Sequence, residues 1–135
     1  MIESVDHIGI AVRSLDDASA RFERAFGLAC AGVESLPEQG VKVGFFSIGE
    51  VRIELLEPTS ASSPIARFLE KRGEGIHHIA FRSNTVSDDV RSAVAAGCEH
   101  IGSIAPEGAG GDRVAFLHPK SLFGVLVEIC GEHRD

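Results

Sequence analysis

The chain has 135 residues, of which 44% are hydrophobic and 24% charged, enough apolar material for a folded core and too much for a disordered segment. A formal charge of −7 argues against a nucleic-acid partner, which needs a basic face, but leaves room for an anionic small molecule met by a few local cations. Three cysteines without C-x-x-C spacing, no charged leader and no run near the roughly 20 apolar residues of a membrane span predict a soluble, cytoplasmic protein with Cys30, Cys98 and Cys130 as buried, reduced thiols.

Residues 3–12 read as a strand. Ser14-Leu15-Asp16-Asp17 then has the form of a helix N-terminus, in which hydroxyl and acid satisfy orphan amides. A helix over 15–26 follows, its stripe formed by Leu15, Ala18, Phe22, Ala25 and Phe26, with Gly27 ending it. A strand over 29–36 leads to the turn Leu36-Pro37-Glu38-Gln39-Gly40-Val41, and a hairpin over 41–57 bends at Gly49-Glu50. Ser63-Pro64 starts a connecting helix with a capping hydroxyl and a first-turn proline; Ile65, Phe68 and Leu69 give it an apolar face, and Gly73 ends it. A strand over 76–83, a helix over 86–96 and a short strand near 99–104 come next. A glycine-rich loop over 108–111 and strands at 113–118 and 124–130, joined by His118-Pro119-Lys120-Ser121, complete the plan, with residues 131–135 expected to fray.

The second half repeats the first. Asp6-His7-Ile8-Gly9-Ile10-Ala11-Val12 returns as Ile76-His77-His78-Ile79-Ala80-Phe81, with His78 lying 71 residues after His7. Ser14 and Asp17 return at the same offset as Thr85 and Asp88, and Glu54 returns as Glu128 after 74 residues, each inside an apolar strand. A repeat of this period reads as one supersecondary unit used twice. The fold expected is α+β: two βαβββ modules, over 3–58 and 75–131, joined by the helix at 63–73. Within a single domain spanning 1–135 they form one eight-stranded, cleft-shaped mixed sheet.

Alternation along a strand puts His7, Gly9 and Ala11 on one face, and His78 with Ala80 on the equivalent face. Each imidazole is followed by little bulk, as the floor of a cavity requires. Glu54 lies between Ile53 and Leu55, and so shares a face with Arg52 and Leu56; Glu128 shares one with Leu126 and Cys130. A buried, unpaired carboxylate there would be costly, and a cation would satisfy it. Two imidazoles with two carboxylates suit Co²⁺, Ni²⁺, Fe²⁺, Zn²⁺ or Mn²⁺, whereas Ca²⁺ prefers an all-oxygen shell.

Six segments in order, D-H-I-G-I-A-V, L-P-E-Q-G-V, I-E-L-L-E-P, S-P-I-A-R-F-L, G-I-H-H-I-A-F and F-L-H-P-K…G-V-L-V-E-I, together resemble the methylmalonyl-CoA epimerase family of the vicinal-oxygen-chelate (glyoxalase) superfamily, over about residues 5–130. The resemblance implies that His7, Glu54, His78 and Glu128 hold a divalent metal, with cobalt first and nickel, zinc or manganese as alternatives. It implies that Glu38 is a proton-transfer base and that Glu128 serves the opposite face of the substrate while touching the metal. The substrate implied is a CoA thioester and the assembly a homodimer. Lys120, and after it Arg113, are expected to meet the CoA phosphates. Three departures stand out: Glu54 replaces a glutamine seen in several relatives, Ser121 ends the family's F-L-H-P-K-D segment in place of aspartate, and Phe123 occupies a place where smaller or polar residues are common. The readings that compete are a lactoylglutathione lyase, an extradiol dioxygenase and a drug-sequestering protein of the same fold. The dioxygenase needs only two histidines and one carboxylate, and the drug-binding protein needs an aromatic-lined groove and no metal.

Overall fold

A computed structural model of the chain describes residues 1–105 and 112–132. The strands are β1 (Ile2–Ala11), β2 (Gly32–Leu36), β3 (Val41–Ile48), β4 (Val51–Pro58), β5 (Gly75–Ser83), β6 (His100–Ala105), β7 (Asp112–Leu117) and β8 (Val127–Glu132). The helices are α1 (Leu15–Phe26), α2 (Pro64–Arg72) and α3 (Val86–Ala95). The expected mixed sheet of eight strands is present, in the order β2-β3-β4-β1-β5-β8-β7-β6. Within it β1 runs parallel to β4, and β5 parallel to β8. The chain forms two compact units: His7–His77, and Met1–Asp6 together with His78–Asp135.

In the His7–His77 unit a helix covers each face. Val12, Leu15, Phe46 and Leu55 close under α1, with Ala18 and Phe22 beside them. Ala11, Val41, Val43 and Leu56 close under Ile65 and Leu69 of α2. The expected stripe of α1 stops short of the core at its end, because Ala25 is exposed and Phe26 keeps only an edge contact with the Phe22 ring, centroids 5.6 Å apart. The N-terminus of α1 is capped as expected by the Ser14 hydroxyl, which accepts from the Asp17 N–H at 3.2 Å. The acid that completes the cap comes from another strand: Glu57 Oε1 accepts from the Leu15 N–H at 3.0 Å. In α2 the Ser63 hydroxyl accepts from the Ala66 N–H at 3.0 Å and Pro64 opens the first turn. The predicted turn at 37–39 is a single 3₁₀ turn. It ends at Gly40, whose φ is +65° and where an added Cβ would stand 2.8 Å from both Ser60 Oγ and Ser63 Cβ. Only glycine fits both the backbone angle and the space.

In the other unit Val86 and Val90 of α3 pack on Ala115, Leu117, Val127 and Ile129, leaving the opposite sheet face, with Glu128 and Phe116, uncovered by that helix. The expected Thr85 cap does not form. The Thr85 hydroxyl meets the N-terminal ammonium of Met1 instead, and that ammonium lies 2.9 Å from Asp89 Oδ2. Ser83 takes over locally, accepting from the Thr85 N–H at 2.8 Å and donating to Asp89. The last strand also departs from expectation. It begins at Val127 instead of 124, because Pro119–Leu122 form a 3₁₀ turn and Phe123 and Gly124 take positive φ values. It continues through Gly131 and Glu132, which pair with Arg113 and Asp112 and so do not fray. Gly131 lies against the Ser83 carbonyl, at a place where a Cβ would stand 2.0 Å from that oxygen. The glycine-rich loop at 108–111 and residues 133–135 lie outside the described residues. No disulfide joins the three cysteines, of which only Cys130 is buried; Cys30 and Cys98 are partly exposed. No described helix is long and apolar enough to cross a membrane.

Candidate active site

In the His7–His77 unit, β1 and β4 run in register so that Gly9 faces Glu54 and Ala11 faces Leu56. The two small residues leave space beside the His7 imidazole. His7 is 7% exposed, and its Nδ1 lies 3.5 Å from Glu54 Oε2. The same Glu54 oxygen accepts from Arg52 Nη2 at 3.1 Å, a pairing of same-face neighbours i and i+2. Arg52 was not among the residues singled out from the sequence, although its shared face with Glu54 was legible there. Its guanidinium offsets the negative charge of the Glu54 carboxylate.

The other unit repeats this arrangement. Ala80 on β5 faces Glu128 on β8. His78 and Glu128 are both buried, and His78 Nε2 lies 3.6 Å from Glu128 Oε2. The neighbouring His77 points the other way and sets its ring edge-on to Phe68, centroids 5.0 Å apart, within the first unit. The tandem histidines therefore have separate roles: His78 faces the carboxylate and His77 packs.

Glu38 sits exposed on the 3₁₀ turn at Pro37–Gln39. The turn is fixed from behind: Gly40 packs against Ser60 and Ser63, and its carbonyl accepts from the Thr59 N–H at 2.8 Å. Lys120 is exposed on the 3₁₀ turn before β8, where His118 Nδ1 accepts from its backbone N–H at 3.0 Å. Arg113 is a correction. It alternates in phase with Ala115 and Leu117, so it lies on the α3 side of the sheet, opposite to Phe116 and Glu128. Its Nη1 donates to Ser87 Oγ of α3 at 2.8 Å. Strand parity, not charge, decides its face, which is the α3 side and not the side of Glu128 on which it was expected.

Comparison with known proteins agrees with this fold. A model of the Glyoxalase/Bleomycin resistance protein/Dioxygenase superfamily matches residues 6–116. The chain is 44% identical over 131 residues to the uncharacterized protein YqjC of Bacillus subtilis, covering 97% of this chain and 94% of that one. It is 39% identical over 131 residues to the ethylmalonyl-CoA/methylmalonyl-CoA epimerase of Cereibacter sphaeroides, covering 96% and 98% of the two chains. The structure of a variant of Streptomyces coelicolor methylmalonyl-CoA epimerase in complex with 2-nitronate-propionyl-CoA superposes with a TM-score of 0.89 at 34% identity, covering 99% of this chain and 100% of that one. The chain belongs to the glyoxalase/bleomycin resistance protein/dioxygenase superfamily and, within it, to the methylmalonyl-CoA epimerase family of isomerases.

Proposed function

We propose that this chain epimerises methylmalonyl-CoA at its α-carbon, with His7, Glu54, His78 and Glu128 holding one divalent cation and with Glu38 and Glu128 moving the α-proton. The observation that carries the metal reading is the repeated pair. Each unit sets an imidazole nitrogen 3.5 or 3.6 Å from a carboxylate oxygen. These gaps are longer than a good hydrogen bond. They leave room for a cation to be shared by imidazole and carboxylate, at metal–ligand bonds of about 2.0–2.2 Å. The donor chemistry, two nitrogens and two carboxylates, fits a transition metal, with cobalt the first candidate. When bound, such an ion supplies Lewis acidity at the substrate oxygens and stabilises enolate charge as it develops.

The protein residues do the rest. A proton α to a thioester and a carboxylate is still too weakly acidic for a carboxylate base in water, so the charge left behind needs the site's support. Inversion needs a proton removed from one face and another delivered to the opposite face. The Glu38 carboxylate accepts the α-proton as the C–H bond breaks, and the Glu128 carboxyl gives its proton to the same carbon from the other side. After one turnover Glu38 is protonated and Glu128 ionised, so the pair resets by exchange with solvent or by turnover in reverse. The turn behind Gly40 fixes the backbone that carries Glu38.

The test is to incubate metal-loaded protein with (2R)- or (2S)-methylmalonyl-CoA in D₂O and follow the α-position by NMR. Deuterium incorporation with loss of configuration is expected. A protein that leaves the α-proton in place is no epimerase.

A further inference from the structure

Phe123 is the one residue other than glycine with a positive φ among the described residues, at 58°, and it is 100% exposed. The left-handed region is open to glycine and disfavours bulkier side chains, and a wholly solvated phenyl ring carries a hydration cost besides. The turn around it is firmly built. The Gly124 N–H donates to the Pro119 carbonyl at 2.8 Å and the Val125 N–H to the Leu122 carbonyl at 3.1 Å. The Ser121 hydroxyl donates to the His118 carbonyl at 2.8 Å and accepts from the Glu99 N–H at 3.1 Å. A strained residue held by an over-determined turn points to a role for its side chain.

The position of the turn says what that role is. The Leu126 carbonyl accepts from the Ile79 N–H at 3.1 Å, so the segment carrying Phe123 enters β8 beside His78 and just before Glu128. His78 and Glu128 are buried, whereas the Phe123 ring stands wholly in solvent. It therefore reaches only the part of a ligand left outside when the reacting group is taken in. For the CoA thioester of the proposed function, on which this inference rests, that part is the carrier, which ends in an adenine and phosphates. The turn offers a partner for each: the Phe123 ring face, and the exposed Lys120 ammonium three residues earlier. We propose that Phe123 is a substrate-contact residue that stacks on the adenine of CoA, with Lys120 at the phosphates.

The experiment compares wild type, Phe123→Ala and Phe123→Gly with methylmalonyl-CoA and with methylmalonyl-pantetheine, which lacks the nucleotide. Both variants are expected to raise KM for the CoA thioester about tenfold, the scale of one aromatic–base stack, with kcat held, the mark of lost uniform binding. KM for the pantetheine thioester should stay at the wild-type value. Phe123→Gly should melt at or above the wild-type temperature, because glycine suits a φ of 58°. An unchanged KM, or an equal rise with both thioesters, overturns the assignment. So does a change in sedimentation mass in the variants, which would mean that the ring packs on a second copy. A wild-type protein that turns over neither thioester sinks the epimerase reading itself, and this inference with it.

Discussion

Arg52 Nη2 donates to Glu54 Oε2 at 3.1 Å while that same oxygen lies 3.5 Å from His7 Nδ1. One carboxylate oxygen thus answers to a guanidinium on its solvent side and an imidazole on its buried side. The guanidinium end is 45% exposed, so its contribution is that of a screened surface pair. Arg52→Ala is expected to change metal affinity by less than about fivefold, and Glu54→Gln to remove even that sensitivity. A double-mutant cycle read by metal titration checks it. Equal effects of Arg52→Ala in both backgrounds would show that the two residues act separately.

Chelation is expected to abolish epimerisation, and Co²⁺ or a similar ion to restore it. His7→Ala and His78→Ala should each lose metal and rate together, since each removes an imidazole from one of the two buried pairs. Metal analysis alongside turnover decides this. EDTA-treated, metal-free protein working at an undiminished rate contradicts the Lewis-acid account.

Glu38→Gln keeps size and hydrogen bonding but cannot accept a proton, so kcat should fall about 10²–10⁴-fold with metal content near wild type. Glu128→Gln should lose rate and weaken the metal at once. Glu38→Gln is also expected to exchange the α-proton of one epimer with solvent without inverting it, and chiral analysis in D₂O reads that asymmetry. Normal epimerisation by this variant would return Glu38 to the role of a turn acid.

Lys120→Ala should raise KM for the CoA thioester with kcat little changed, and the effect should fade as salt screens the exposed ammonium. An unchanged KM at low salt would leave Lys120 as an ordinary surface cation.

Asp89 gives a pH prediction. Burial pushes its carboxyl up, but the Ser83 hydroxyl, the N-terminal ammonium and the Thr85 hydroxyl together hold it below the usual carboxylate range. A pKa lower in the folded state means stability present in full above the unfolded value of about 3.9 and lost as pH falls through the folded one. Asp89→Asn should therefore destabilise the protein at neutral pH, and the gap to wild type should close in acid. Denaturant melts across that range measure it, and a gap that persists in acid would mean that packing, not charge, sets the effect.

Much of this was legible in the sequence because two periodicities and one repeat agreed. Alternation placed His7 with Gly9 and His78 with Ala80, and the offsets tied Glu54 to Glu128. What was not legible came from outside the local window. The acid capping α1 is Glu57, 42 residues from Leu15, while the capping pattern pointed to Asp17. Thr85 matched a capping pattern yet its hydroxyl went to the N-terminal ammonium, a partner 84 residues away. Arg113 looked like a rim cation until its register with Gly131 fixed the face it occupies. Gly131 read as the start of a loose tail because no pattern shows that a strand must run past a carbonyl where only a hydrogen fits.

The two compact units do not divide where the repeat does. The repeat turns over around the 63–73 helix, whereas the units part inside β1 and β5, with Met1–Asp6 grouped with His78–Asp135. The Asn84 N–H donates to the Met1 carbonyl at 3.3 Å and Arg82 Nε to Asp6 Oδ1, so the opening stretch of chain finds these partners 83 and 76 residues later. During synthesis that stretch must wait, unpaired, until most of the polypeptide has been made. Closing so long a loop favours slow, late assembly over piecewise folding. A chain cut near Gly73 is then expected to yield two fragments of which neither folds alone, although each carries one copy of the ancestral pattern.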